Sequence, residues 1–146
     1  MYPGAFIETQ PDKPALVMVG SGFTQTFAEL DAAANRLSRL LRSVGVAPGD
    51  HVAVCMENHS RYFEVIWGCH YAGAVYTACS SRLTSSELQY VVDDCSAKVF
   101  ITSLYKAEQA AQIVAETPGV AVRLMLDGTV PGYESYEDAV AAHSPE

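Results

Sequence analysis

GDHVAVCMENHSRYFEVIWGCHYAGAVYTA, residues 49–78, is the stretch whose reading decides the fold. His51 to Met56 reads as a short β-strand. Asn58 and Ser60 are residue types that cap helices, and Tyr62 to Tyr71 is apolar on nearly every side. Gly73 stops that helix, and Ala74 to Ala78 opens a second strand. Two strands joined by a helix of this length predict a parallel pair with a right-handed crossover. A helix that is apolar all round needs cover on both sides, so the unit is expected in the middle of the fold.

Upstream, Ala15 to Val19, Gly20-Ser21-Gly22 and Phe23 to Gln25 read as a β-hairpin whose glycines supply the turn. The same glycines begin a GxGxxG pattern, but Gln25 stands where the third glycine belongs and no helix opens there. Thr26-Phe27-Ala28-Glu29 is a capping box. The helix it starts carries Leu30, Ala33, Ala34, Leu37, Leu40, Leu41 and Val44 as one apolar stripe, and Gly45 ends it.

Downstream, Ser80 to Leu83 reads as a loop, and Thr84-Ser85-Ser86-Glu87 is a second capping box. Lys98 to Ile101 is a strand, and Ser103 is a candidate cap for a helix carrying Ala107, Ala110, Ala111 and Val114. Val120 to Leu126 is a further strand, Asp127-Gly128 turns, and Ser135 caps a last helix reaching about Ala142. The alternation predicts an α/β fold: a mostly parallel sheet with helices on both faces, doubly wound and three-layered, preceded by a short N-terminal β-hairpin.

The 146 residues are one domain's worth of chain, and 49% hydrophobic against 18% charged residues describe a globular core. A net charge of -8 and scattered basic residues exclude a nucleic-acid surface. Cys55, Cys69, Cys79 and Cys95 form no CxxC pair and lie in apolar segments, as buried free thiols of a reducing compartment would. The N-terminus has no basic start and no long apolar run, unlike a secretory signal. Val65 to Cys79 is shorter than the ~20 residues of a membrane-spanning helix. A cytoplasmic protein without a transmembrane segment is therefore expected.

The residues display no catalytic set. His59 and His70 lack a convincing third metal ligand, so no metal is expected; His59 reads as a capping or surface residue and His70 as buried and hydrogen-bonded. Asp93 and Asp94 are adjacent at a helix end and point apart. No P-loop, GxSxG or HExxH occurs.

The landmarks do match a family. Thr26-Phe27-Ala28-Glu29-Leu30, Asn35, Leu37, Leu40-Leu41, Gly45-Val46, Pro48-Gly49-Asp50 and Val52-Ala53-Val54 resemble the opening of the AMP-forming acyl-CoA synthetases. These are adenylate-forming enzymes, a superfamily that includes luciferases and nonribosomal-peptide adenylation domains. The resemblance continues through Met56-Glu57-Asn58, Tyr71-Ala72-Gly73-Ala74, Arg82-Leu83-Thr84, Glu87-Leu88, Tyr90 and Asp93-Asp94-Cys95-Ser96-Ala97-Lys98. It covers about residues 5 to 142 and looks closest to fatty-acyl-CoA synthetases.

The resemblance implies a two-step reaction: a carboxylate, such as a fatty acid, attacks ATP in the presence of Mg2+, and the CoA thiol then displaces AMP. The family's phosphate loop ending in Pro-Lys-Gly, its aromatic-Gly-x-Thr-Glu segment, its ribose-binding Asp and its C-terminal lysine have no counterpart here. Residues 1–146 are thus expected to form a single α/β subdomain, the N-terminal part of a larger adenylation domain, inactive alone. Its partners would be the remaining subdomains, with self-association through exposed apolar surface. ATP, Mg2+ and CoA would serve the parent. Lys106 is a candidate CoA contact, against the reading of a solvated helix lysine. Arg82 is a candidate ligand contact, against a loop-fixing role. The alternative is a stand-alone, non-catalytic binding or protein-interaction module on the same fold.

Overall fold

The computed structural model describes residues 2–146. After a 3₁₀ turn at Pro3–Phe6, strands β1 (Pro14–Val17) and β2 (Thr24–Thr26) pair antiparallel as the expected hairpin. Helix α1 (Phe27–Ser43) follows. Both halves of its capping box form: the Glu29 N–H donates to Thr26 Oγ1 at 3.2 Å, and the Thr26 N–H to Glu29 Oε2 at 2.8 Å. Gly45, just past the helix end, takes φ 88°, a left-handed conformation that favours glycine.

Five strands then build one parallel sheet: β3 (His51–Cys55), β4 (Val75–Cys79), β5 (Val99–Ser103), β6 (Val122–Leu126) and the short β7 (Glu134–Ser135). Helices α2 (Tyr62–Ala72), α3 (Ser85–Asp94) and α4 (Ala107–Ile113) alternate with β3 to β6; β7, which the sequence did not suggest, follows β6 with no helix between, and α5 (Tyr136–Ala141) comes after it. The spatial order is β4-β3-β5-β6-β7. Pleating sends Val52, Val54, Val99, Ile101, Leu124 and Leu126 to one face, where α1, α2 and α5 cover them. Ala53, Cys55, Phe100 and Met125 face the other way, against α3 and α4. The result is the expected three-layer, doubly wound architecture.

Several local expectations need correction. The β3–α2–β4 unit is parallel as read, but β4 is the edge strand, so the unit flanks the sheet. Continuous apolarity of α2 has another cause. Its Val65, Cys69 and Ala72 face the sheet, while Phe63 and Trp67 line an apolar groove under the N-terminal segment. Neither Asn58 nor Ser60 caps α2, whose N-cap is Arg61 without a side-chain bond. Ser103 likewise does not cap the segment after β5. His70 is exposed, its ring 5.4 Å from those of Trp67 and Tyr76. No helix among the described residues is long and apolar enough to cross a membrane.

Packing of α1 on α2 depends on Gly68. A Cβ there would lie 2.6 Å from Leu37, which is fully buried. Glycine lets the two helix backbones approach while Leu37 keeps its full side chain.

Candidate functional site

In a doubly wound sheet the crevice opens beyond the C-terminal ends of the strands, where successive connections leave toward opposite faces. Here that point lies between β3, which continues into α2, and β5, which continues toward α4. The residues just past these strand ends meet there. Ser103 Oγ, at the end of β5, donates to Glu57 Oε2 at 2.5 Å across the switch point. Glu57, His59 and Asp127 bring one ligand atom each within 4.8 Å of one another. Asp127 follows β6 in the left-handed region at φ 64°, which Asp tolerates better than most residues. Its carboxylate is 2.9 Å from His59 Nε2.

The bonding of His59 determines what this cluster can do. The Arg61 N–H donates to His59 Nδ1 at 3.0 Å, so Nδ1 carries a lone pair and the neutral ring holds its proton on Nε2. That proton points at Asp127. A metal ion on Nε2 would need the lone pair there and would drive the proton to Nδ1, against another N–H. The cluster therefore reads as a hydrogen-bonded imidazole–carboxylate pair that braces the start of α2 against the β6–β7 loop. The capping reading of His59 matches this role.

Other rim groups are equally committed. Thr102 Oγ1 donates to the Cys55 carbonyl at 2.6 Å. Burial pushes the Cys55 thiol up to about 11, so it is protonated and unsuited to nucleophilic work at neutral pH. Lys106, read from sequence as solvated, is 5% exposed, and its ammonium donates to the Ser81 carbonyl at 2.9 Å. It ties the β4–α3 loop to the β5–α4 connection. Arg82 is exposed and makes no ion pair among the described residues. The rim brings Lys106 near Ser81 through that bond, but it places neither Lys106 nor Arg82 in the His59 cluster.

Sequence reasoning named His59, but not Glu57 or Asp127, as members of one cluster. The available signal was positional: Glu57 falls two places after the end of β3 and Asp127 one place after the end of β6. Glu57 and Asp127 add negative charge, and no glycine-rich run of free N–H groups faces the crevice. These residues do not fit a triphosphate.

The strand order and the helices on both faces define a doubly wound α/β domain, and the comparisons give the family. The AMP-binding enzyme family matches residues 5–146, and the chain belongs to it. It is 31% identical, over 96% of its length, to a 3-oxocholest-4-en-26-oate–CoA ligase of Rhodococcus rhodochrous, of which it spans 26%. It is 39% identical over 94 residues to a feruloyl-CoA synthase of an Amycolatopsis species, covering 64% of this chain and 19% of that protein. Its fold matches 99% of this chain onto 28% of a Mycobacterium tuberculosis fatty acyl CoA synthetase, with TM-score 0.86 at 24% identity. An anthranilate CoA ligase in complex with anthranoyl-AMP gives TM-score 0.89 at 20% identity, over 99% of this chain and 27% of that one. The chain thus spans between 19% and 28% of these four relatives.

Proposed function

We propose that the chain is the N-terminal α/β subdomain of an ATP-dependent acyl-CoA or aryl-CoA ligase, and that it is catalytically inactive by itself. The observation that carries this is a family match over nearly the whole chain that still spans at most 28% of the relatives named. In the proposed whole protein, a carboxylate would take AMP from ATP and then pass the acyl group to CoA, with Mg2+ neutralising phosphate charge. Fatty acids are one acyl class consistent with the resemblance. The four free cysteines support a reducing, cytoplasmic setting.

This subdomain would contribute a rigid sheet and a rim against which the phosphate-binding segments pack. Arg82, exposed and unpaired among the described residues, would be its available contact to an anionic substrate group. Lys106 would reach CoA only by leaving the Ser81 carbonyl, which makes bracing its main role.

The test is pyrophosphate release with ATP, Mg2+, CoA and a panel of fatty and aromatic carboxylates. It compares residues 1–146 with the protein encoded by the whole reading frame. Release by the longer protein alone is expected. Release by residues 1–146, or none by the longer protein with any acid of the panel, overturns the proposal.

A further inference from the structure

A hollow of about 430 Å3 opens between α1, the end of α2 and the N-terminal turn. One stripe of α1 builds most of it: Asp31, Asn35, Ser38 and Arg42 recur every three or four residues, with Arg39 beside them. Tyr2 and Tyr71 close the other side. The hollow lies away from the Glu57–His59–Asp127 rim, because α2 leaves that rim at Tyr62 and runs about 14 Å before Tyr71 reaches it.

Its polar groups divide into those already bonded and those left open. Asp31 is closed: its carboxylate accepts from the Tyr71 hydroxyl at 2.6 Å and from Asn35 Nδ2 at 2.9 Å. Arg42 is partly committed. Its Nη2 donates to the Tyr71 carbonyl at 2.5 Å, which fixes the guanidinium at the hollow and leaves its other N–H groups open. Arg39, exposed one turn earlier, makes no ion pair among the described residues. Ser38 forms the floor. It is 3% exposed, and its hydroxyl has no hydrogen-bond partner among the described residues. That hydroxyl is not sealed off: what little of Ser38 solvent can touch opens onto this hollow, so an occupant must meet it there.

The open side chains Ser38, Arg39 and Arg42 all offer donors. Two guanidiniums face one carboxylate, a local positive balance in a chain whose net charge is -8. The carboxylate of Asp31 has both oxygens taken, and about 10 Å of helix separates that residue from Ser38. Three donor positions call for three acceptor oxygens. A carboxylate has two; a phosphate monoester has three. Tyr2, 52% exposed and edge-on to Tyr71 at 6.1 Å, adds an aromatic wall for an organic group.

We propose that this hollow binds a phosphate monoester, its phosphoryl oxygens on Arg39, Arg42 and the Ser38 hydroxyl and its organic group against Tyr2. The site does not rest on the ligase reading.

The test titrates the 146-residue protein with phenyl phosphate, inorganic phosphate and benzoate at fixed ionic strength. It follows the Nε–H signals of Arg39 and Arg42, the Ser38 amide and the Tyr2 ring protons. Phenyl phosphate is expected to shift all of them saturably. Inorganic phosphate should bind more weakly and leave the Tyr2 ring in place. Benzoate, which keeps a ring but has one oxygen fewer, should bind about tenfold more weakly than phenyl phosphate. Arg39→Met, which keeps the side-chain stem, should lose phenyl phosphate by about tenfold or more, and Ser38→Ala by about three- to tenfold, each with an otherwise native spectrum. Arg36→Met removes an arginine of the same helix that lies outside the hollow, and it should bind phenyl phosphate as the native protein does. The proposal is overturned if phenyl phosphate gives no saturable shift, or if benzoate or inorganic phosphate binds as tightly. It also fails if Arg39→Met or Ser38→Ala binds phenyl phosphate undiminished, or if Arg36→Met loses as much as Arg39→Met, the mark of a general attraction to a basic helix.

Discussion

At the scale of single residues, the polar groups of the rim are held by one another. The proton on His59 Nε2 follows from the Arg61 N–H that points at Nδ1. Long-range 1H–15N correlations of the neutral His59 ring should show the Nε2–H tautomer, and zinc should leave those signals in place. An Nδ1–H ring would sink this reading and return the cluster to metal chemistry. None of this bonding was legible in the sequence: the chain shows Glu57, His59 and Asp127 as separate letters, and only the β3–β5–β6 register gathers them. Three of the four cysteines were more legible, because apolar neighbours foretell burial; Cys95, expected to be buried with them, is only partly buried at the end of α3. Burial, the first cause in each case, raises Cys55 from 9.0 to about 11 and Cys69 and Cys79 to about 12. Above pH 9 the unfolded chain therefore sheds protons that the folded chain keeps, and stability falls as pH rises through the folded values. Urea midpoints should drop between pH about 8 and about 10.5. In Cys69→Ala, less stable at the outset, the drop should shrink by up to about 2 kcal/mol, since one ionising thiol is gone. An equal drop in both proteins would contradict the burial account.

At the scale of elements, local signals were read well where they are self-contained. Both capping boxes, at Thr26–Glu29 and Thr84–Glu87, form in both directions because their partners lie three residues apart. Thr84→Ala should cost about 1 kcal/mol, visible as a lower thermal midpoint; an unchanged midpoint would show that the box adds nothing to α3. Signals that depend on a distant partner were misread. Ser103 was free to cap only if Glu57 was elsewhere, and Asn58 only if His59 did not take the Arg61 N–H. Gly68 belongs to the same class: in sequence it looks like an interruption of an apolar helix, whereas in space it is where Leu37 enters. Gly68→Ala improves helix propensity by up to about 1 kcal/mol, yet the clash should turn this into a net loss of about 1–3 kcal/mol. Leu37→Ala alone should cost about 2–5 kcal/mol. The double variant should lose at least about 1 kcal/mol less than the sum of the two, because the second methyl then enters space that the first change vacates. Additive losses would mean the two residues do not meet.

At the scale of the whole molecule, alternation of strands and helices was enough to foresee three layers, but not the order of strands. Order depends on which way each crossover travels, and the sequence of α2 gives no sign that β4 will be left at the edge. That edge has a physical consequence. Beyond β4 the described residues supply no neighbouring strand, so its outer N–H and C=O groups form a pairing template. Val75 on this strand is 47% exposed, and Phe63 is 49% exposed on the neighbouring helix. No charged residue lies within β4 to blunt the edge. We expect the 146-residue chain to self-associate with rising concentration, edge to edge, despite a net charge of -8 that opposes contact. Sedimentation velocity over a hundredfold concentration range should show the weight-average mass climbing, and more steeply at high salt, where the like-charge repulsion is screened. Val75→Lys combined with Thr77→Lys places two ammonium groups on the same face of the edge strand, since Val75 and Thr77 pair with His51 and Ala53 on β3. That variant should stay monomeric over the same range while its circular dichroism remains native. A monomer at every concentration in the native protein would show that the edge is protected by side chains alone. Undiminished association in the lysine variant would move the contact elsewhere, with the apolar groove formed by Phe6, Phe27, Phe63 and Trp67 as the next surface to substitute.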